Sequence, residues 1–146
     1  MSSDHAQLQI QEALDAFTRD AQAVAVQLSD RSGASLAISG DLFRVDPRRF
    51  AASLAGLLAS AQGLMRPLGR DQVDRLHVIL GDVQLLTASV QPGFFLAVVF
   101  DVRTTLGVVR WRLDSLVARL TLLMVVDSGH QTKAPISDEE IENLFS

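Results

Sequence analysis

The chain has no cysteine, and Lys133 is its only lysine among 146 residues. The first absence excludes disulfides and thiolate metal ligands, and leaves the compartment open. The second means that nearly all positive charge is arginine. It is dispersed along a chain of net charge −4. No basic stripe forms of the kind that tracks a phosphate backbone, so no nucleic-acid partner is expected. The histidines, His5, His77 and His130, are far apart, and none pairs at helical spacing, so neither a metal nor another cofactor is expected. A Gly-rich phosphate loop ending in Lys-Ser/Thr is missing, as is a Gly-x-Ser-x-Gly elbow. The sequence therefore offers no catalytic residue, and the chain is not expected to be an enzyme.

Long apolar runs are also missing. Phe50 to Met65 is uncharged but shorter than a bilayer span, and Asp114 and Arg119 interrupt Leu113 to Val126. Met1-Ser2-Ser3-Asp4-His5 lacks the basic and apolar regions of a secretory leader. No membrane insertion and a cytoplasmic location are the expectations.

What is present is enough to build a core. Hydrophobic residues make up 48% of the chain and the mean hydropathy is +0.23, which at this length points to one domain with short extensions. Leu8, Ile10, Leu14 and Phe17 follow a roughly 3.6-residue period and predict a helix over 4–20. Val24, Val26 and Leu28 read as a strand, Asp30-Arg31-Ser32-Gly33 as a turn, and Leu36-Ala37-Ile38 as the return strand, closed by Gly40-Asp41. Asp46-Pro47 is a helix start, with the helix running to about Met65 before Pro67. Strands follow at 76–80, 83–90 and 94–100, separated by Gly81-Asp82 and Gln91-Pro92-Gly93. A third helix is expected from about Thr105 to Val126, its first turn disturbed by Gly107, then a linker over 127–135. The order αββαβββα specifies an α+β domain over 1–126. It has one five-stranded antiparallel sheet, the central helix on one face and the terminal helices on the other.

On the central helix Ala52, Gly56, Ala59 and Gly63 recur at spacings of four, three and four, beside a broad apolar face of Phe50, Leu54, Leu57, Leu58, Ala61, Leu64 and Met65. Each interior glycine costs about 1 kcal/mol relative to alanine, and such a stripe suits close backbone approach. Packing on the helix's own sheet and pairing across a dimer axis both account for it. Asp46 reads as a cap, and Arg48 and Arg49 as solvated residues at a helix start.

Residues 136–146 form a distinct tail. Ser137 and Glu140 make a capping-box pair, Asp138, Glu139 and Glu140 fill the first turn, and Ile141, Leu144 and Phe145 share one face. So short a segment does not hold a helix in water alone. A docking peptide that folds on a partner and a turn packed on its own domain are the two readings.

The phrase Phe100-Asp101-Val102-Arg103-Thr104-Thr105-Leu106-Gly107-Val108-Val109-Arg110 resembles the Roadblock/LC7 superfamily, and more narrowly its bacterial MglB branch. The hairpin Val26–Gly33 with its Asp-x-x-Gly turn, the segment Ala51–Gly56 and the ending Ile136–Phe145 are similar as well. The resemblance implies a homodimer in which third strands pair edge to edge and central helices lie side by side. It implies a Ras-like small GTPase of the MglA type as partner, one per dimer, in bacterial cell polarity and motility, with a cell pole as a place of action. GTP hydrolysis would be accelerated by ordering the GTPase's switch regions, without an arginine finger. The tail would touch the GTPase at a second place and influence nucleotide exchange. By position, Ala52, Gly56, Ala59 and Gly63 fall on the platform helix, and Ile141, Leu144 and Phe145 on the tail. A Roadblock-type scaffold without effect on GTP turnover is the alternative.

Overall fold

The computed structural model describes residues 2–42, 44–70 and 72–133; the tail residues Ile141, Leu144 and Phe145 lie outside them. The elements in chain order are α1 (Ser2–Ala21), β1 (Ala25–Asp30), β2 (Ser35–Gly40), α2 (Pro47–Met65), β3 (Arg75–Leu80), β4 (Val83–Gln91), β5 (Phe94–Phe100) and α3 (Leu106–Lys133). The sheet is antiparallel with strand order β2-β1-β5-β4-β3.

β5 occupies the middle of the sheet, and its residues Leu96 to Phe100 are all buried. Alternation along the strands sorts their side chains to two faces. Val26, Leu28, Leu86, Ala88, Leu96, Val98 and Phe100 meet Leu14 and Phe17 of α1 and Val109, Leu113, Leu116 and Leu120 of α3 in the main core. Ala97 on the other face meets Leu54 and Leu58 of α2, and a separate cluster joins Val24, Ala25, Leu42 and Val99. The predicted α+β architecture, with α2 alone on its face, is the one observed.

The start of α2 is fixed by polar contacts. Asp46 accepts from the Arg48 backbone N–H at 3.0 Å, with Pro47 in the first turn. Gln27, fully buried in β1, donates from Nε2 to Ser35 Oγ at 2.7 Å and to the Pro47 carbonyl at 2.8 Å, tying α2 to the hairpin. A 3₁₀ turn at Arg66–Leu68 carries the chain out of α2, as Pro67 requires. Gly40 ends β2 with φ +90°, and a Cβ there would lie 2.2 Å from the Val24 carbonyl oxygen.

Two expectations about the last helix need correction. Gly107 sits in a regular first turn, for which Thr105 Oγ1 accepts from the Val108 N–H at 3.2 Å. The helix also runs on through 127–133, which was expected to be linker. Once a helix is nucleated, each added residue gains a hydrogen bond, so one glycine at 129 does not stop it. Only 134–135 of the expected linker remain, outside the described residues.

Two aspartates organise exposed turns. Asp30 accepts from Ser32 Oγ at 2.6 Å and from the Ser32 and Ala34 N–H groups at 3.0 Å each. These bonds, the Ser32 hydroxyl first, hold its carboxyl below the ordinary carboxylate range. Asp101 accepts from Arg103 Nε and N–H at 3.0 Å, and its carboxyl is likewise lowered, chiefly by the Arg103 side chain.

A depressed folded-state pKa contributes stability above the unfolded value, and the contribution is lost as pH falls through the folded value. Stability is therefore expected to be level near neutrality and to fall below the ordinary aspartate value of 3.8. Asp30→Asn should flatten that acid limb in urea titrations while lowering stability slightly at pH 7. Gly40→Ala, strained in φ and blocked by the Val24 carbonyl, should cost on the order of 3 kcal/mol, measurable by the same unfolding experiment.

Candidate functional site

α2 buries Ala51, Leu54 and Leu58 and turns the opposite side outward. Ala52, Gly56, Ala59 and Gly63 are all exposed. The stripe does not pack on its own sheet. A Cβ added at Gly56 or Gly63 would meet nothing within 4 Å, so nothing inside the protomer requires glycine at either position. Ala52 differs from the other three. Its Cα would lie 3.0 Å from a Cβ added at Gly33, the left-handed residue of the β1–β2 turn. The structure thus brings Gly56, Ala59 and Gly63 together as open surface and sets Ala52 beside the hairpin turn.

Leu57 and Leu64, expected on the apolar face of α2, stand in solvent instead, Leu64 at 74% exposure. The reason is geometric: Leu57, one position before Leu58, and Leu64, six after it, lie about 100° and 120° round the helix from Leu58 and so off the line of contact with the sheet. The apolar surface continues past the helix to Leu68, and β3 adds Ile79 and Leu80, the latter 67% exposed.

The two sheet edges are not equivalent. At β2, Gln11 of α1 donates from Nε2 to the Ile38 carbonyl at 2.9 Å, which occupies an edge group. β3 has no strand on its outer side, yet it is held firmly from within. Arg75 pairs with Asp114 of α3, His77 stacks on Phe100 with ring centroids 6.4 Å apart, and His77 Nε2 lies 2.7 Å from Gln84 Oε1. An ordered, apolar and open edge strand is a surface for pairing with another chain.

Beside the stripe a cleft of about 250 Å³ opens between the C-terminal half of α2 and the β4–β5 turn. Ala55, Leu58, Ala59, Val73 and Phe95 give it apolar walls, and Arg31, Gln62, Gln72 and Gln91 line it with polar groups. The arginine was legible in the sequence only as a turn residue. Its place in the cleft depends on the Arg31 N–H donating to the Gly93 carbonyl at 2.9 Å, a contact between two hairpin turns.

No cluster of three acidic or histidine side chains able to hold a metal occurs among the described residues. Asp46 acts as a helix cap, and Arg48 and Arg49 are exposed at the start of α2. No helix of the described residues is long and apolar enough to cross a membrane. The outward side of α2 is thus small-sided and carries exposed leucines, and β3 leaves a strand edge unpaired.

Residues 9–100 match the model of the Roadblock/LC7 domain. No curated protein matches the chain. Among solved structures, Myxococcus xanthus MglB is 29% identical with a TM-score of 0.77, over 81% of this chain and 96% of that one. The gliding protein MglB from Thermus thermophilus is 23% identical with a TM-score of 0.74, over 81% and 90%. A Roadblock/LC7 domain from Streptomyces avermitilis is 17% identical with a TM-score of 0.71, over 79% and 97%. The last two likenesses are of fold.

Gly56→Ala and Gly63→Ala should each stabilise an isolated protomer by about 1 kcal/mol, the helix-propensity difference. Urea unfolding at concentrations low enough to keep protomers apart measures this. A loss of stability there would mean that the protomer itself needs the glycines.

Proposed function

The chain belongs to the Roadblock/LC7 domain family, and on that premise we propose that it is a homodimeric regulator of a Ras-like small GTPase of the MglA type. The single observation that carries the reading is the open face of α2 with its exposed small residues, in a domain whose β3 edge is also unpaired. In the proposed dimer two β3 strands pair into one continuous sheet. The two α2 helices then lie side by side, and Gly56 and Gly63 permit close approach. Leu64 and Leu80 leave water in the process, at about 25 cal/mol per Å² of apolar area.

The paired helices form one platform per dimer for one GTPase. Nothing on that platform has the character of a catalytic acid or base. Arg48 and Arg49 lie at the N-terminal end of α2, whereas Gly56 to Gly63 lie along its second half. Acceleration of GTP hydrolysis therefore follows from selective binding of one switch conformation, whose population rises by the difference in affinity. The tail residues Ile141, Leu144 and Phe145 are assigned a second contact with the GTPase that biases nucleotide exchange. The likeness to Myxococcus xanthus MglB supports this role and a place in bacterial polarity and gliding motility.

The decisive measurement is GTP turnover by the cognate GTPase with and without excess protein. The wild type should raise the rate at least tenfold. Ala59→Arg with Gly63→Arg should abolish the stimulation while circular dichroism stays unchanged, because both positions are exposed in the protomer. Full stimulation by that double variant would refute the platform. Binding without any change in turnover would favour a scaffold.

A further inference from the structure

The cleft beside α2 opens on one flank of the helix only. Successive residues of an α-helix are about 100° apart. Measured from the buried Leu58, Gln62, Ala55 and Ala59 fall at about 40°, 60° and 100° on the same flank, and all three line the cleft. Gly63 and Gly56 follow at about 140° and 160° in the same sense, whereas Leu57 and Leu64 lie on the opposite flank. The small residues, not the leucines, therefore form the rim of the cleft, and Ala59 belongs to both. A protein seated on the stripe covers the mouth of the cleft.

The lining combines apolar walls with unpaired polar groups. Leu58, Val73 and Phe95 are apolar, and Arg31 is the only charged residue of the lining among the described residues. The side chains of Arg31, Gln72 and Ser89 make no hydrogen bond or ion pair among the described residues. Asp30 precedes Arg31 in the chain, but its carboxylate is occupied by Ser32 and Ala34 of its own turn. A free guanidinium beside apolar walls suits a carboxylate carried next to an apolar group, which it can hold through two parallel N–H donors. At about 250 Å³ the cleft is below the usual size of a small-molecule site and suits a side-chain anchor at a protein interface.

The position of the acids selects the occupant. α2 and β3, the elements that the dimer would bring together, contain no aspartate or glutamate. The paired elements of a second copy therefore offer Arg31 no partner. We propose that the GTPase docked on α2 inserts an apolar side chain against Leu58, Val73 and Phe95 and presents a neighbouring carboxylate to Arg31. This inference rests on the regulatory reading and adds to it the residue of this chain that recognises the partner's charge.

The test measures binding of the cognate GTPase, loaded with a non-hydrolysable GTP analogue, to the full chain. Arg31→Glu should weaken binding by roughly tenfold or more. Arg31→Lys, which keeps the charge but not the paired donors, should weaken it less. Both changes leave the turn in place, because its bond to Gly93 uses the Arg31 backbone. Arg119→Glu makes the same change of charge at an exposed position on α3 and controls for long-range steering; an equal loss there would overturn the contact. Ala55→Leu, a half-buried position in the lining, should narrow the cleft and also weaken binding. Changing the matching acid of the GTPase to arginine should restore binding to the Arg31→Glu protein. Two results would give the cleft to another occupant and overturn the proposal. Dissociation of the dimer by Arg31→Glu in sedimentation would assign it to the second copy. Loss of the Arg31 effect when Asp138, Glu139, Glu140 and Glu142 are changed to amides would assign it to the tail. Undiminished binding by Arg31→Glu and Ala55→Leu, with none by Ala59→Arg plus Gly63→Arg, sinks the cleft and leaves the platform standing. Absence of binding by the wild type sinks both.

Discussion

One helix cannot cover a five-stranded sheet. Neighbouring strands lie about 4.8 Å apart, so the outer two are separated by roughly 19 Å, while a helix is about 10–12 Å across. On one face α1 and α3 lie together and bury a continuous core from β1 to β4. On the other α2 stands alone. Its apolar contacts break into two smaller clusters, one around Leu42 and Val99 and one around Leu54, Leu58 and Ala97. Everything distinctive about the surface follows from this mismatch. β3, farthest from β2 at the open edge, keeps Leu76 and Val78 only half-buried and leaves Leu80 in solvent.

The mismatch also decides what kind of chemistry the face supports. A platform of alanine and glycine offers shape and close approach but little charge, so it does not move protons or stabilise a developing anion. What it can do is bind one conformation of another protein better than the alternatives. The cleft beside α2 sets Arg31 and three glutamines among apolar walls, the mixture of apolar surface and few polar groups found at protein interfaces. Regulation through differential affinity needs nothing more.

Most of the fold was legible because its signals are local. Asp46-Pro47 marked the start of α2, Pro67 its end, and the Gly-containing turns at 81–82 and 91–93 separated the last three strands. β5 was placed to the residue, since an unbroken apolar run between Pro92-Gly93 and Asp101 has no other reading in this context. The errors share a cause: position in the tertiary structure. Leu57 and Leu64 belong to the apolar pattern of α2, and only the width of the sheet beneath determines that they stay outside. Helix continuation through 127–133 depends on the length of helix already formed, which composition does not report. The glycine stripe could be seen in the sequence, but the direction in which it faces could not. Arg31 became a site residue only because two hairpin turns touch. Gln27 looked like one polar position in an alternating strand, whereas its amide joins three elements.

α2 and α3 present the same physical problem on opposite sides of the sheet. Each carries an apolar outer side that its own domain leaves bare. For α2 the small residues and the free strand edge suit a second copy.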